Sequence, residues 1–284
     1  MRAEEVSFES KGAEIRGVLY VPDETPAPAL IVCHGFDKRG FRGYGMFEQM
    51  AKAACENGFV SLVFDFRGCG ESTGVFGYGW GEQEDLEAAI DFLASRLEAN
   101  SNSVYVVGHS LGGAVALYVA EKDKRLRGVV LWATPHDHAY NIKRFITRTR
   151  GRLGYYLFLL LSYVDVVVPV SRLFSLRVYG VVLRPRDVRR RLMRLRESEV
   201  LARLENVPVL IVNGSDDKIV GLEEAKMNFE AARTKRKELV VIESTKPVAF
   251  HGGEEEVVAS HVFQGKEEET IDRTLSWLLR QKLV

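Results

Sequence analysis

Short, continuous apolar runs recur along this chain, separated by longer segments in which apolar residues return every three or four positions. The runs fall at about 29–33, 59–64, 103–107, 127–132, 208–212 and 238–243. Runs this short, apolar on both alternating positions, predict strands buried on both faces. The intervening periodic segments predict helices over about 44–57, 82–99, 111–122, 221–233 and 267–282. Residues 3–9 and 14–20 flank a turn at Lys11-Gly12 and predict an antiparallel hairpin at a sheet edge. The alternation predicts an α/β fold, a mostly parallel sheet flanked by helices on both faces. Ligands in such folds bind beyond the carboxyl ends of the strands.

One segment departs from this rhythm. Between residues 136 and 205 the strand–helix alternation stops, which divides the chain into a core of 1–135 plus 206–284 and a helical lid insertion of 136–205. From Lys143 to Glu205 there are 15 basic residues against five acidic ones, so the zero formal net charge of the whole chain conceals a basic insertion on an acidic body. Within it, Leu153 to Ser171 is almost uninterrupted apolar sequence with Asp165 as its one charge. That length approaches a membrane span. A single crossing would, however, put parts of one sheet on opposite sides of a bilayer. Three readings remain: lid helices whose apolar faces cover the site with arginines in solvent, an interfacial surface, or dimerisation through the lid. In the second, Tyr155, Tyr156, Phe158 and Phe174 touch lipid and arginines touch anionic headgroups.

The remaining composition is ordinary for a 284-residue globular protein. A net charge of zero gives no sign of nucleic-acid binding. The three cysteines, Cys33, Cys55 and Cys69, are scattered without metal-ligand spacing and fit reduced thiols. The N-terminus lacks the apolar core of a secretory signal, so the expected location is cytoplasmic.

The chemistry concentrates at strand ends. Val107-Gly108-His109-Ser110-Leu111-Gly112-Gly113 joins the 103–107 strand to a small-residue helix. G-x-S-x-G at a strand-to-helix junction is a nucleophile elbow, in which Ser110 projects from a turn too sharp for bulk at Gly108 or Gly112. Ser110 would then stand at a helix N-terminus, where free N–H groups favour developing negative charge. His34-Gly35-Phe36 ends the 29–33 run, and Asp65-Phe66-Arg67-Gly68-Cys69-Gly70-Glu71-Ser72 follows the 59–64 run. Asn213-Gly214-Ser215-Asp216-Asp217 follows 208–212, and Ser260-His261-Val262-Phe263 precedes the last helix.

In these motifs and their order, Ser then Asp then His, the chain resembles the serine esterase and lipase branch of the α/β-hydrolase superfamily. It is similar to feruloyl-type esterases and monoacylglycerol lipases. The resemblance covers roughly residues 14–134 and 206–283. It implies Ser110 as nucleophile and His261 as base, because His261-Val262-Phe263-Gln264-Gly265 looks like the H-x-F-x-G segment before the last helix. His251-Gly252-Gly253 stays a rival, since the 243–260 stretch is longer than such loops often are. Asp217, three after Gly214, matches the acid of G-x-x-D-x-x-V, with Asp216 as its neighbour. The resemblance implies that the oxyanion hole uses the backbone N–H groups of Phe36 and Leu111, that His34 and His109 serve structurally, and that the Asp65 turn supports the loops. A serine nucleophile implies acyl transfer to water, with a small-molecule carboxylic ester of short- to medium-chain or aromatic acyl group as substrate. Neither cofactor nor metal is implied. Thioesters and small peptides fit the same triad, and a non-catalytic member binding a partner or membrane through the basic lid is the alternative of another class. The oligomeric state stays open.

Overall fold

The computed structural model describes residues 1–167, 176–178, 180–243 and 260–282. Eight strands form one sheet in the order β1-β2-β4-β3-β5-β6-β9-β10. β1 (Arg2–Ser10) and β2 (Ala13–Val21) make the antiparallel edge hairpin, and β2 pairs antiparallel with β4 (Val60–Phe64). β3 (Ala27–Cys33), β5 (Ala99–His109), β6 (Leu126–Trp132), β9 (Val209–Gly214) and β10 (Lys237–Ile242) continue the sheet in parallel.

Period-two burial explains why these runs are strands. Ala29, Ile31 and Cys33 enter one apolar layer while Leu30 and Val32 enter the opposite one, and Val209 and Ile211 are divided from Leu210 and Val212 in the same way. The first layer is closed by α2 (Gly81–Ala94), α3 (Leu111–Lys122) and α7 (Leu222–Ala231). The second is closed by α1 (Met46–Glu56) and α8 (Glu267–Lys282). Trp132 donates its indole N–H to Thr274 Oγ1 at 2.9 Å, so this large core ring is satisfied as well as buried.

The expected helix over 82–99 stops at Ala94, and β5 begins at Ala99, well before Ser103. Ala27 donates to the carbonyl of Glu98 at 2.9 Å, and Ala27 and Pro28 pair with Ala99 and Asn100 before the register shifts. The polar stretch Asn100-Ser101-Asn102 thus extends the strand at its half-exposed start, where no apolar pattern marks it.

Between β6 and β9 the chain forms α4 (His138–Val167), the two-stranded hairpin β7 (Leu176–Val178) and β8 (Val181–Leu183), α5 (Pro185–Arg190), a 3-10 turn at Leu192–Arg194 and α6 (Glu197–Leu201). Gly151, at φ 71° and ψ 176°, breaks α4 into two helices. No helix among the described residues is long and apolar enough to cross a membrane.

This segment is not wholly helical, and its apolar side does not all turn inward. Leu153, Tyr156, Leu157, Leu160 and Tyr163 lie on one face of α4 and are 81%, 65%, 53%, 59% and 60% exposed. Ser162 and Asp165 are buried, with Phe158 half-buried against the core side. The arrangement of apolar faces inward and arginines outward therefore fails for the second half of α4. There the inward stripe carries the polar residues, while Arg189 stacks over Tyr163 at 3.9 Å. Phe174 lies outside the described residues.

Candidate active site

The strand-to-helix junction has the geometry that its glycines foretell. Ser110 has φ 53° and ψ −116°, a left-handed conformation costly for a residue with a Cβ. Its N–H donates to the carbonyl of Trp132 at 2.8 Å, which ties the turn to β6. A Cβ on Gly108 would fall 2.4 Å from the carbonyl oxygen of Gly112, and one on Gly112 would fall 2.5 Å from that of His34. Gly113 is packed as closely, 1.9 Å from Thr134 Oγ1 on the same construction, and was not marked by the motif. Ser110 is the N-cap residue of α3, and its carbonyl accepts the N–H groups of Gly113 at 3.0 Å and Ala114 at 3.3 Å.

The second wall comes from the end of β3. A Cβ on Gly35 would lie 3.1 Å from Ser110 Cβ, so the backbone leading into Phe36 runs against the elbow. His34 holds that loop. It accepts the Phe66 N–H on Nε2 at 3.0 Å, which places its proton on Nδ1, and Nδ1–H donates to the Gly35 carbonyl at 2.7 Å. Burial pushes its pKa down, keeping the ring neutral. The turn after β4 is knit by Asp65, whose oxygens accept N–H bonds from Phe41 at 2.9 Å and Glu71 at 3.0 Å. Arg67 forks onto Asp85 of α2 at 2.8 and 3.0 Å.

The third wall brings together the expected acid and base. Asp217 is buried; its Oδ2 accepts the Nδ1–H of His261 at 2.8 Å, while its Oδ1 accepts the N–H groups of Ile219 at 2.7 Å and Val220 at 2.9 Å. Those bonds aim the carboxylate and fix the His261 tautomer with Nε2 free to act as a base. His109 binds the same residue from the elbow side, donating from Nε2 to the His261 carbonyl at 2.8 Å with the rings 4.7 Å apart. Burial holds its pKa well below the ordinary value. Asp217 is thereby bonded directly to His261, and His261 to the residue beside Ser110. His251 lies outside the described residues. Asp216 does not hold the imidazole bond.

Three residues that support the acid turn carry no sequence signal. Asn213 donates to the carbonyls of Gly214 and Val220, both at 3.1 Å, and closes the turn. From α4, Asn141 and Arg144 each donate to the Ile219 carbonyl at 2.7 Å, and Arg144 also meets Glu224 at 3.0 Å. Above the site, Leu111 and Phe36 belong to an apolar cluster with Tyr78, Phe158, Val188, Leu192 and Leu195, so the 136–205 segment packs on both expected oxyanion positions. Among the described residues no group of three or more His, Cys, Asp or Glu side chains converges on a common point.

Residues 30–265 match the alpha/beta hydrolase family. The chain belongs to that family. An uncharacterised 31.7 kDa protein of Escherichia coli, from the traX-finO intergenic region, is 32% identical over 105 residues, 36% of this chain and 36% of its own. Thiohydrolase apmlB of Arthrinium phaeospermum is 30% identical over 145 residues, 50% of this chain and 46% of its own. The chain thus spans less than half the length of these curated relatives. The Pyrococcus furiosus esterase Pf2001 superposes with a TM-score of 0.69 at 18% identity, covering 99% of this chain and 93% of that one, a likeness of fold alone.

Proposed function

We propose that the protein is a serine hydrolase that cleaves small-molecule carboxylic esters, of short- to medium-chain or aromatic acyl group, through an acyl-serine intermediate. The observation that carries this reading is the Asp217–His261 bond at 2.8 Å, anchored through His109 to a strained Ser110. His261 Nε2 takes the Ser110 proton as the hydroxyl attacks the acyl carbon and returns it to the leaving alcohol. It then activates water for deacylation. Asp217 orients the imidazole and stabilises its cation. The backbone N–H groups of Leu111 and Phe36 receive the oxyanion. The 136–205 segment acts as a lid whose cluster around Leu111 and Phe36 holds the acyl chain. Thioesters enter the same machinery, a reading favoured by the thiohydrolase relative.

Ser110→Ala tests the mechanism. Turnover of p-nitrophenyl esters and of acyl thioesters should fall on the order of 10⁶-fold with the circular dichroism spectrum unchanged, and a fluorophosphonate should label Ser110 in the wild type. Retained turnover in the folded variant would end the acyl-serine reading. His261→Ala should be equally inactive.

A second surface reading is favoured by α4. Its exposed stripe of Leu153, Tyr156, Leu157, Leu160 and Tyr163 adjoins exposed Arg148, Arg150 and Arg152. An apolar stripe beside cations is complementary to an anionic bilayer surface. We propose that this face makes peripheral membrane contact.

A further inference from the structure

A cleft of about 470 Å³ opens between the turn after β4 and the β7–β8 hairpin. Among the described residues its walls carry Lys38, Arg184, Arg186 and Arg191 against a single carboxylate, Asp187. Arg186 lies 3.6 Å from Asp187 and 3.9 Å from Asp165, so those charges answer one another. Lys38, Arg184 and Arg191 make no ion pair among the described residues, although Lys38 donates to the Gly68 carbonyl. Lys38 also packs hard on the hairpin, since a Cβ at Gly180 would fall 2.8 Å from its own. Three cations facing one concavity repel each other, and an anion seated between them removes that repulsion while gaining charge-assisted hydrogen bonds.

The cleft adjoins the site just described through shared aromatic and apolar residues. Phe76 and Tyr78 line it, Phe76 stands edge-on to Phe36 with ring centroids 5.0 Å apart, and Tyr78 shares an apolar cluster with Leu111. Phe36 and Phe76 thus separate the expected oxyanion position at Phe36 from the arginines of the cleft, and a substrate whose acyl carbon meets Ser110 would reach those arginines across this aromatic pair. We propose that this cleft is a binding site for an anionic group, a carboxylate or a phosphate, carried at the far end of the substrate. The inference rests on the hydrolase reading above and makes the preferred substrates half-apolar, with the ester or thioester at one end and the anion at the other.

Three esters of one acyl length test it: p-nitrophenyl hexanoate, its ω-carboxylate counterpart and its ω-phosphate counterpart. In the wild type at low salt, kcat/KM should favour at least one anionic ester over the neutral one, and the two anionic arms tell which group is preferred. In Arg184→Gln/Arg191→Gln that preference should fall by about tenfold or more, mostly in KM, with the neutral ester turned over as before. An unchanged preference, or an equal loss for all three esters, overturns the proposal. Should no ester be turned over, the hydrolase reading fails, and calorimetric titration with adipate and with inorganic phosphate reads the cleft separately. Binding that disappears in the double variant sustains an anion site, and no binding of either ion removes it. Lys38→Met, on a different chain segment lining the same cleft, should lower the same preference in the same direction.

Discussion

Gly113 lies just inside α3, where a Cβ would fall 1.9 Å from Thr134 Oγ1 and 3.0 Å from the Gly108 carbonyl oxygen. That gap cannot be opened by a side-chain rotation alone, because the second contact is backbone. Gly113→Ala should therefore destabilise the fold by about 2 kcal/mol, the usual scale of overpacking, read as a lower urea midpoint at unchanged slope. Adding Thr134→Ala should return part of the loss, and no recovery would place the strain on the β5 backbone. The position shows where residue-level reading of the sequence ends. Gly108 and Gly112 are legible because the motif itself demands a tight turn. The need for Gly113 comes from Thr134, 21 positions later, and only the folded sheet brings them together. Asn141 and Arg144 are of the same kind: each donates to the Ile219 carbonyl, distant in the chain, and no spacing announces it. The acid and base positions are more legible because their contexts are local, Asp217 just after β9 and His261 just before the last helix. The site geometry joins Asp217 to His261 at 2.8 Å through an element order that the apolar runs already spell out.

At the scale of elements, the sheet was readable and the 136–205 segment was not. Strands buried on both faces leave unbroken apolar runs, so β3, β4, β6 and β9 fall close to their expected places. The second half of α4 is almost uninterruptedly apolar in sequence, so no periodicity marks which face turns inward. Leu153, Tyr156, Leu157, Leu160 and Tyr163 form the outward stripe, and the inward one carries buried Ser162 and Asp165. A stripe so exposed should have a partner surface. Sedimentation with vesicles containing anionic lipid should carry the wild type down at low salt and release it at high salt. Neutralising Arg148, Arg150 and Arg152 should weaken binding by about 1 kcal/mol per arginine, and Tyr156→Ser/Leu160→Ser should weaken it with little change in salt dependence. Absence of salt-sensitive sedimentation would leave the face without a membrane role.

For the molecule as a whole, buried titratable groups of opposite sign share the fold, and pH should separate them. Burial pushes the pKa values of His34 and His109 down, so the fold holds both rings neutral. The unfolded chain takes up those protons below about 6.5, and the stability they contribute is present above that value and lost as pH falls. Glu82 works the other way. It is buried in α2, and desolvation raises its carboxyl to about 7, against the opposing pull of N–H bonds from Gly77 at 2.6 Å and Gly79 at 2.7 Å. Its unfolded value is near 4.5. The fold therefore keeps a proton that the unfolded chain has released, and the Glu82 contribution is complete below 4.5 and lost as pH rises through about 7. Around pH 5–7 the histidine and glutamate slopes oppose each other, which flattens the wild-type curve there. Glu82→Gln removes one slope and leaves the other. Its cost in urea denaturation should be larger at pH 5 than at pH 8, by up to about 3 kcal/mol, the difference that a shift from 4.5 to about 7 represents. The variant's own stability should then rise more steeply from pH 5 to pH 8 than the wild type's, because the histidines alone remain to set it. An equal cost at both pH values would mean that the Gly77 and Gly79 N–H bonds outweigh desolvation and keep Glu82 ionised throughout.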